Sequence, residues 1–111
     1  TYTFIMHWWH KMNKAVFDGK LPLPKNIIIR NFREDIFGYC ESFNDSEQYV
    51  IGLRREYEDR KTFLTSLVHE MVHSYEQVFY GKMSHGKNFY EWEKKVKNRV
   101  GLPLGEYIDT E

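Results

Sequence analysis

The chain of 111 residues has one cysteine, Cys40. A lone thiol can form neither an internal disulfide nor a four-cysteine zinc ribbon. That excludes a disulfide-stapled secreted domain and makes a reducing, cytoplasmic compartment the expectation. Proline is scarce: Pro22, Pro24 and Pro103 are the only three, and no Pro-rich or low-complexity linker divides the chain. Net charge is also lacking, because sixteen basic residues balance sixteen acidic ones. The overall balance gives no reason to expect a nucleic acid or an anionic membrane as partner. The opening stretch "TYTFIMHWWH" has no basic region ahead of a clean apolar run, and His7 and His10 interrupt its aromatics. Neither a signal peptide nor a membrane span is expected.

What is present suits a compact domain. Apolar residues make up 41% and aromatics 17%, enough to build one core over residues 1–111 but too short a chain for a second domain; a monomer is expected. Ile5, Trp8, Met12 and Ala15/Val16 recur at three- and four-residue steps, which predicts a helix over 3–18 with Trp8 inward and Trp9 partly exposed. Gly19, Pro22 and Pro24 then stop it. "NIIIRNF", "FGYCESF" and "QYVIGL" are rich in β-branched and aromatic residues and read as strands, the last two joined as an antiparallel hairpin by "NDSE". From Asp59 to Tyr80 neither Gly nor Pro occurs. Phe63, Leu64, Leu67, Val68, Met71, Val72, Tyr75, Val78 and Phe79 there keep helical spacing. A final helix over 87–100 puts Phe89, Trp92, Val96 and Val100 on one face. Helix, three strands, helix, helix is an α+β order.

The chemistry concentrates in "LVHEMVHSYE". Residues four apart on a helix stand on the same face, so His69 and His73 can offer ring nitrogens to one ion. Glu70 lies about 100° around from His69, where its carboxylate can act on a water without binding the ion, the mechanical content of H-E-x-x-H in zinc peptidases. Two histidines inside a buried helix would also be costly to desolvate without a shared partner. A catalytic zinc needs three protein ligands and one open position. His85 follows His73 after eleven residues, beyond the helix stop at Gly81, so the chain can turn back toward the ion. A glutamate of the last helix, Glu91 or Glu93, is the rival third ligand.

"HEMVHSY", then "SHGKNF", with "YVIGL" before and "NKAVFDGKLP" far upstream, resembles the SprT-like metallopeptidase domain. That family includes the Spartan proteases, which degrade proteins crosslinked to DNA. The resemblance runs from Asn13 to about Val100. It implies a zincin-like fold with a short sheet against the active-site helix, one catalytic Zn2+ held by His69, His73 and His85, and Glu70 as the catalytic base. It also implies an endopeptidase acting on DNA-associated or DNA-crosslinked proteins. The tail "GLPLGEYIDTE" has no cysteine for a zinc ribbon, so a stand-alone catalytic module is expected. A zinc protease with a soluble regulatory target, and a non-catalytic module in which zinc is structural, are the alternatives.

Two partner surfaces follow as expectations. An extended protein or peptide substrate would add to the strand preceding the site helix, through Tyr49, Val50, Ile51, Gly52 and Leu53. DNA would meet the last helix, where Lys87, Lys94, Lys95, Lys97 and Arg99 face Glu91 and Glu93, with a second basic group at Arg54, Arg55, Arg60 and Lys61. The oxyanion of the reaction needs a donor, and Tyr39, Tyr49, Tyr75, Tyr80 and Tyr107 are all eligible.

Overall fold

Residue spacing along the first helix decides which tryptophan enters the core. In the computed structural model, which describes residues 2–31, 37–42, 48–83 and 85–104, α1 spans Tyr2–Phe17 and buries Ile5, Trp9, Met12, Asn13, Val16 and Phe17. Trp9 is 1% exposed and Trp8 only half-buried, the reverse of the expectation. The stripe that runs Ile5, Trp9, Met12/Asn13, Val16 is as regular as one through Trp8, so periodicity alone left a one-residue ambiguity. The helix ends in left-handed residues, Asp18 (φ 56°) and Gly19 (φ 73°). The Gly19 N–H donates to Asn13 O, six positions back, at 2.9 Å, which folds the chain back onto the end of the helix. Asn13 then fastens the turn that follows: its Nδ2 donates to Leu21 O, and Leu21 N donates to its Oδ1, both at 3.1 Å. The stretch "NKAVFDGKLP" is thus a helix end bolted to the chain that enters the sheet.

That sheet holds β1 (Asn26–Ile29), β2 (Gly38–Ser42) and β3 (Tyr49–Leu53) in the order β1-β3-β2. β2 and β3 pair antiparallel, from Gly38↔Leu53 to Ser42↔Tyr49, as the hairpin reading expects, although its turn "NDSE" falls outside the described residues. β1 pairs parallel with β3, from Asn26↔Val50 to Ile29↔Leu53, so the sheet is mixed. This corrects the substrate expectation. Tyr49, Val50, Ile51, Gly52 and Leu53 form the central strand, hydrogen-bonded on both sides and buried throughout, and no peptide can add there. A strand that is apolar on both faces belongs between neighbours rather than at an edge.

α2 (Arg60–Tyr80) lies across the sheet. It starts at Asp59, whose Oδ1 accepts from the Thr62 N–H at 2.8 Å, and stops at Gly81 (φ 85°). α1 and α3 (Lys87–Val100) cover its other sides. Leu67, Val68, Met71 and Val72 are therefore all 0% exposed, each burial contributing about 1.5–3 kcal/mol. Only the last turn outruns this cover, which leaves Phe79 48% exposed where its spacing suggested core. α3 turns Phe89, Trp92 and Val96 inward and its lysines outward. The Arg99 guanidinium donates to Val16 O and stands 4.0 Å from Asp18 Oδ2, tying α3 to the end of α1. Among the described residues no helix is long and apolar enough to cross a membrane.

Candidate metal centre

Three imidazoles converge where α2 passes the start of α3. His69 and His73, one helical turn apart on α2, are 4% and 0% exposed. His85 is exposed and lies just ahead of α3. The His85 Nε2 is 3.2 Å from His73 Nε2 and 3.4 Å from His69 Nε2. The Phe89 ring packs against all three, with centroids 4.8 Å from His69 and 4.9 Å from both His73 and His85. The first inward residue of α3 thereby fixes the position of the loop that carries His85.

The remaining ring nitrogens decide what this cluster can hold. His73 Nδ1 lies 2.9 Å from Glu76 Oε1, and His69 Nδ1 lies 3.2 Å from Leu104 O. A carboxylate and a carbonyl only accept, so both Nδ1 atoms carry the proton and both Nε2 atoms present lone pairs. Three Nε2 atoms then face one another, and a single N–H from His85 could satisfy only one such contact. A cation satisfies all three. Nitrogens about 2.0–2.1 Å from a tetrahedral zinc stand about 3.3–3.4 Å apart, which matches the two separations from His85 Nε2. The three histidines could hold a metal ion, and the donor set fits zinc. Because His85 is exposed, the cluster keeps an opening toward solvent.

Glu70 is 1% exposed and sits on the sheet side of the same helix. A Cβ placed on Gly38 would come within 3.3 Å of Glu70 Oε2 and 2.9 Å of Gly52 O. Glycine at the first residue of β2 therefore lets the strand close onto the carboxylate. One turn on, the Ser74 hydroxyl donates to Glu70 O at 2.8 Å and lies 3.4 Å from Cys40 Sγ, which places the lone thiol in the core between β2 and α2.

Of the residues singled out from sequence, His69, His73 and His85 come together, with ligand atoms within 4.8 Å of one another. Glu91 and Glu93 stay outside that cluster, Glu91 exposed and Glu93 half-buried on α3. Tyr49 is drawn away from any oxyanion role, since its hydroxyl donates to Pro22 O at 2.5 Å and burial pushes its pKa up. Tyr107 lies outside the described residues. Sequence reasoning missed three contributors: Glu76, Gly38 and the Leu104 carbonyl. Glu76 had a signal, its i+3 spacing from His73 on a helix. The Leu104 contact had none, because a backbone oxygen leaves no mark on residue identity.

A scan against protein families matches the SprT-like family over residues 5–107. A search of curated proteins finds no match. The family match runs from within α1 through α3 and includes the three clustered histidines, and on that extent the chain belongs to the SprT-like family.

Proposed function

We propose that this protein is a zinc-dependent endopeptidase, with His69, His73 and His85 as metal ligands and Glu70 as general base. One observation carries the reading: the Nε2 atoms of His69 and His73 both stand at zinc-like separations from that of His85, with the buried Glu70 next in sequence to His69. A zinc ion held there would supply a Lewis acid for the scissile carbonyl and the attacking water. The chain's part is to orient and to move a proton. Glu70 takes it from the water at a carboxylate oxygen and delivers it to the leaving nitrogen. Glu76 and the Leu104 carbonyl hold the two helix imidazoles in the ligating tautomer. Neither step needs a covalent intermediate, so Cys40 stays a core residue.

Substrate would be an extended peptide, and the sheet topology moves its expected place. β2 begins against Glu70 and lies at a sheet edge, and among the described residues no other strand pairs with it. Addition along β2 would carry a peptide past the site. DNA enters the proposal through the exposed Lys87, Lys94, Lys95 and Lys97 of α3; Arg99 is already engaged with α1.

The test is cleavage of a DNA-binding protein by the wild type and by Glu70→Gln, with and without single-stranded DNA. Cleavage by the wild type, reduced about 10²–10⁴-fold in the variant with zinc retained, is the expected result. Stimulation by DNA supports a DNA-associated substrate, whereas DNA-independent cleavage points to a soluble target. Absence of cleavage in every lane with zinc bound would leave a structural metal.

A further inference from the structure

A cavity of about 300 Å³ opens at the N-terminal end of α2, in a part of the molecule the proposed chemistry does not use. Phe4 of α1, Ile29 of β1, Phe63 of α2 and Tyr57 give it apolar walls. The Phe63 ring packs against those of Phe4 and Tyr57, with centroids 5.5 and 5.7 Å away, so the three form one continuous aromatic wall of a cavity of the size that small ligands and single side chains fill. Three further lining residues are arginines, and Arg55 and Arg60 among them are exposed. Among the described residues the sole acid of the lining is Asp59, which accepts the Thr62 N–H as the cap of α2. Arg60 rests 5.5 Å from the Trp8 ring centroid, and Arg54 rests 4.6 Å from that of Phe37. Contact with the Trp8 ring orients the Arg60 guanidinium, a planar N–H fork suited to a carboxylate.

The cavity is joined to the candidate site by bonded neighbours. The Tyr57 hydroxyl donates to Phe37 O and accepts from Arg54 N at 3.0 Å. Phe37 precedes Gly38, the residue against the Glu70 carboxylate. Along α2, Phe63 and His69 are separated by roughly 9 Å of helix rise, a span of about three residues of extended peptide.

We propose that this cavity is a second, non-catalytic site for protein substrate. It takes one large apolar side chain, aromatic by preference, from a segment whose neighbouring residues are acidic. The side chain enters the cavity and packs on the Phe4–Tyr57–Phe63 wall, and Arg55 and Arg60 grip the flanking carboxylates. As a substrate-selecting site it rests on the peptidase reading; as a peptide-binding site it does not.

The experiment is fluorescence anisotropy with the zinc-loaded full chain carrying Glu70→Gln, so that nothing is turned over. The probe is a labelled twelve-residue peptide with a single Phe flanked by Asp and Glu. Saturable binding is expected. It should weaken roughly tenfold when the probe's Phe becomes Ala, when its acids become Asn and Gln, or when the protein carries Arg55→Glu and Arg60→Glu together. The two changes in the probe keep the test decisive even if the arginine variant is destabilised. No saturable binding, or binding indifferent to the probe's Phe and acids, would overturn the proposal. So would a single-stranded oligonucleotide that displaces the probe and depends on the same arginines, which would assign the cavity to nucleic acid. Binding as expected from a protein that cleaves nothing would leave the cavity standing and remove the peptidase reading alone.

Discussion

Two helices of this protein each carry a pair of histidines, and the pairs have opposite fates. His7 and His10 on α1 and His69 and His73 on α2 both have spacings that share a helical face. The first pair is exposed, with the rings set edge-on to Trp8 and Trp9 at 5.6 and 5.1 Å. The second pair is 4% and 0% exposed, with each Nδ1 beside an acceptor and each Nε2 turned to His85. Spacing therefore offers a site on either helix. What selects α2 is the surrounding protein, which takes the imidazoles out of water and uses both nitrogens of each ring. A buried histidine is tolerable only on those terms.

Removing a ligand from the buried pair should have the largest effect. His73→Ala is expected to abolish stoichiometric zinc binding, to lower peptidase activity by at least about 10³-fold, and to lower the melting temperature, because metal bound only by the folded chain adds to its stability. Chelation of the wild type should lower the melting temperature likewise. His7→Ala with His10→Ala should leave zinc at one per chain and the melt nearly unchanged, as for surface changes generally. Metal analysis beside a thermal melt measures both. Zinc lost from the α1 variant, or a chelated wild type that melts where the loaded protein does, would break the contrast.

Glu76 sharpens it. If the acceptor on Nδ1, and not burial alone, separates the two pairs, then Glu76→Gln should weaken zinc binding about 10–100-fold while His73 stays in place. Competition against a chelator of known affinity reads this without any activity assay. An unchanged affinity in both Glu76→Gln and Glu76→Ala would assign the difference to burial.

The contrast also shows what residue order makes legible. α2, the three converging histidines and the inward face of α3 follow from periodicity and motif, because each is written in side chains at fixed spacing. The place of β3 is misjudged as an edge open to substrate, although "YVIGL" shows no polar alternation, a pattern that belongs to a strand covered on both sides. Topology carries the rest. Nothing local indicates that β1 passes β2 to pair with β3, and nothing in Leu104 indicates that its carbonyl meets a histidine 35 positions earlier. Trp8 and Trp9 fell on the wrong sides because adjacent positions both fit a helical stripe, and only tertiary packing chooses between them.

The smallest expected effect lies at the start of α2, where the helix that distinguishes the buried pair is anchored. Asp59 adopts extended backbone (φ −156°, ψ 175°) and caps α2 through the Thr62 N–H. That hydrogen bond, helped by the Thr62 side chain and by Lys61, holds the Asp59 carboxyl below its ordinary pKa. A carboxyl depressed in the folded state stabilises the protein above its unfolded value, roughly pH 3.9, and the contribution is lost as pH falls through the folded value. Asp59→Asn keeps a capping oxygen but does not titrate. In metal-free protein, where acid cannot act by stripping a ligand, the wild type should melt slightly above the Asn variant at neutral pH. The gap should begin to narrow as pH falls below about 4 and close below the lowered folded value, where both caps are neutral. A gap that stays constant with pH would mean that the shape of the cap, and not its charge, anchors the helix.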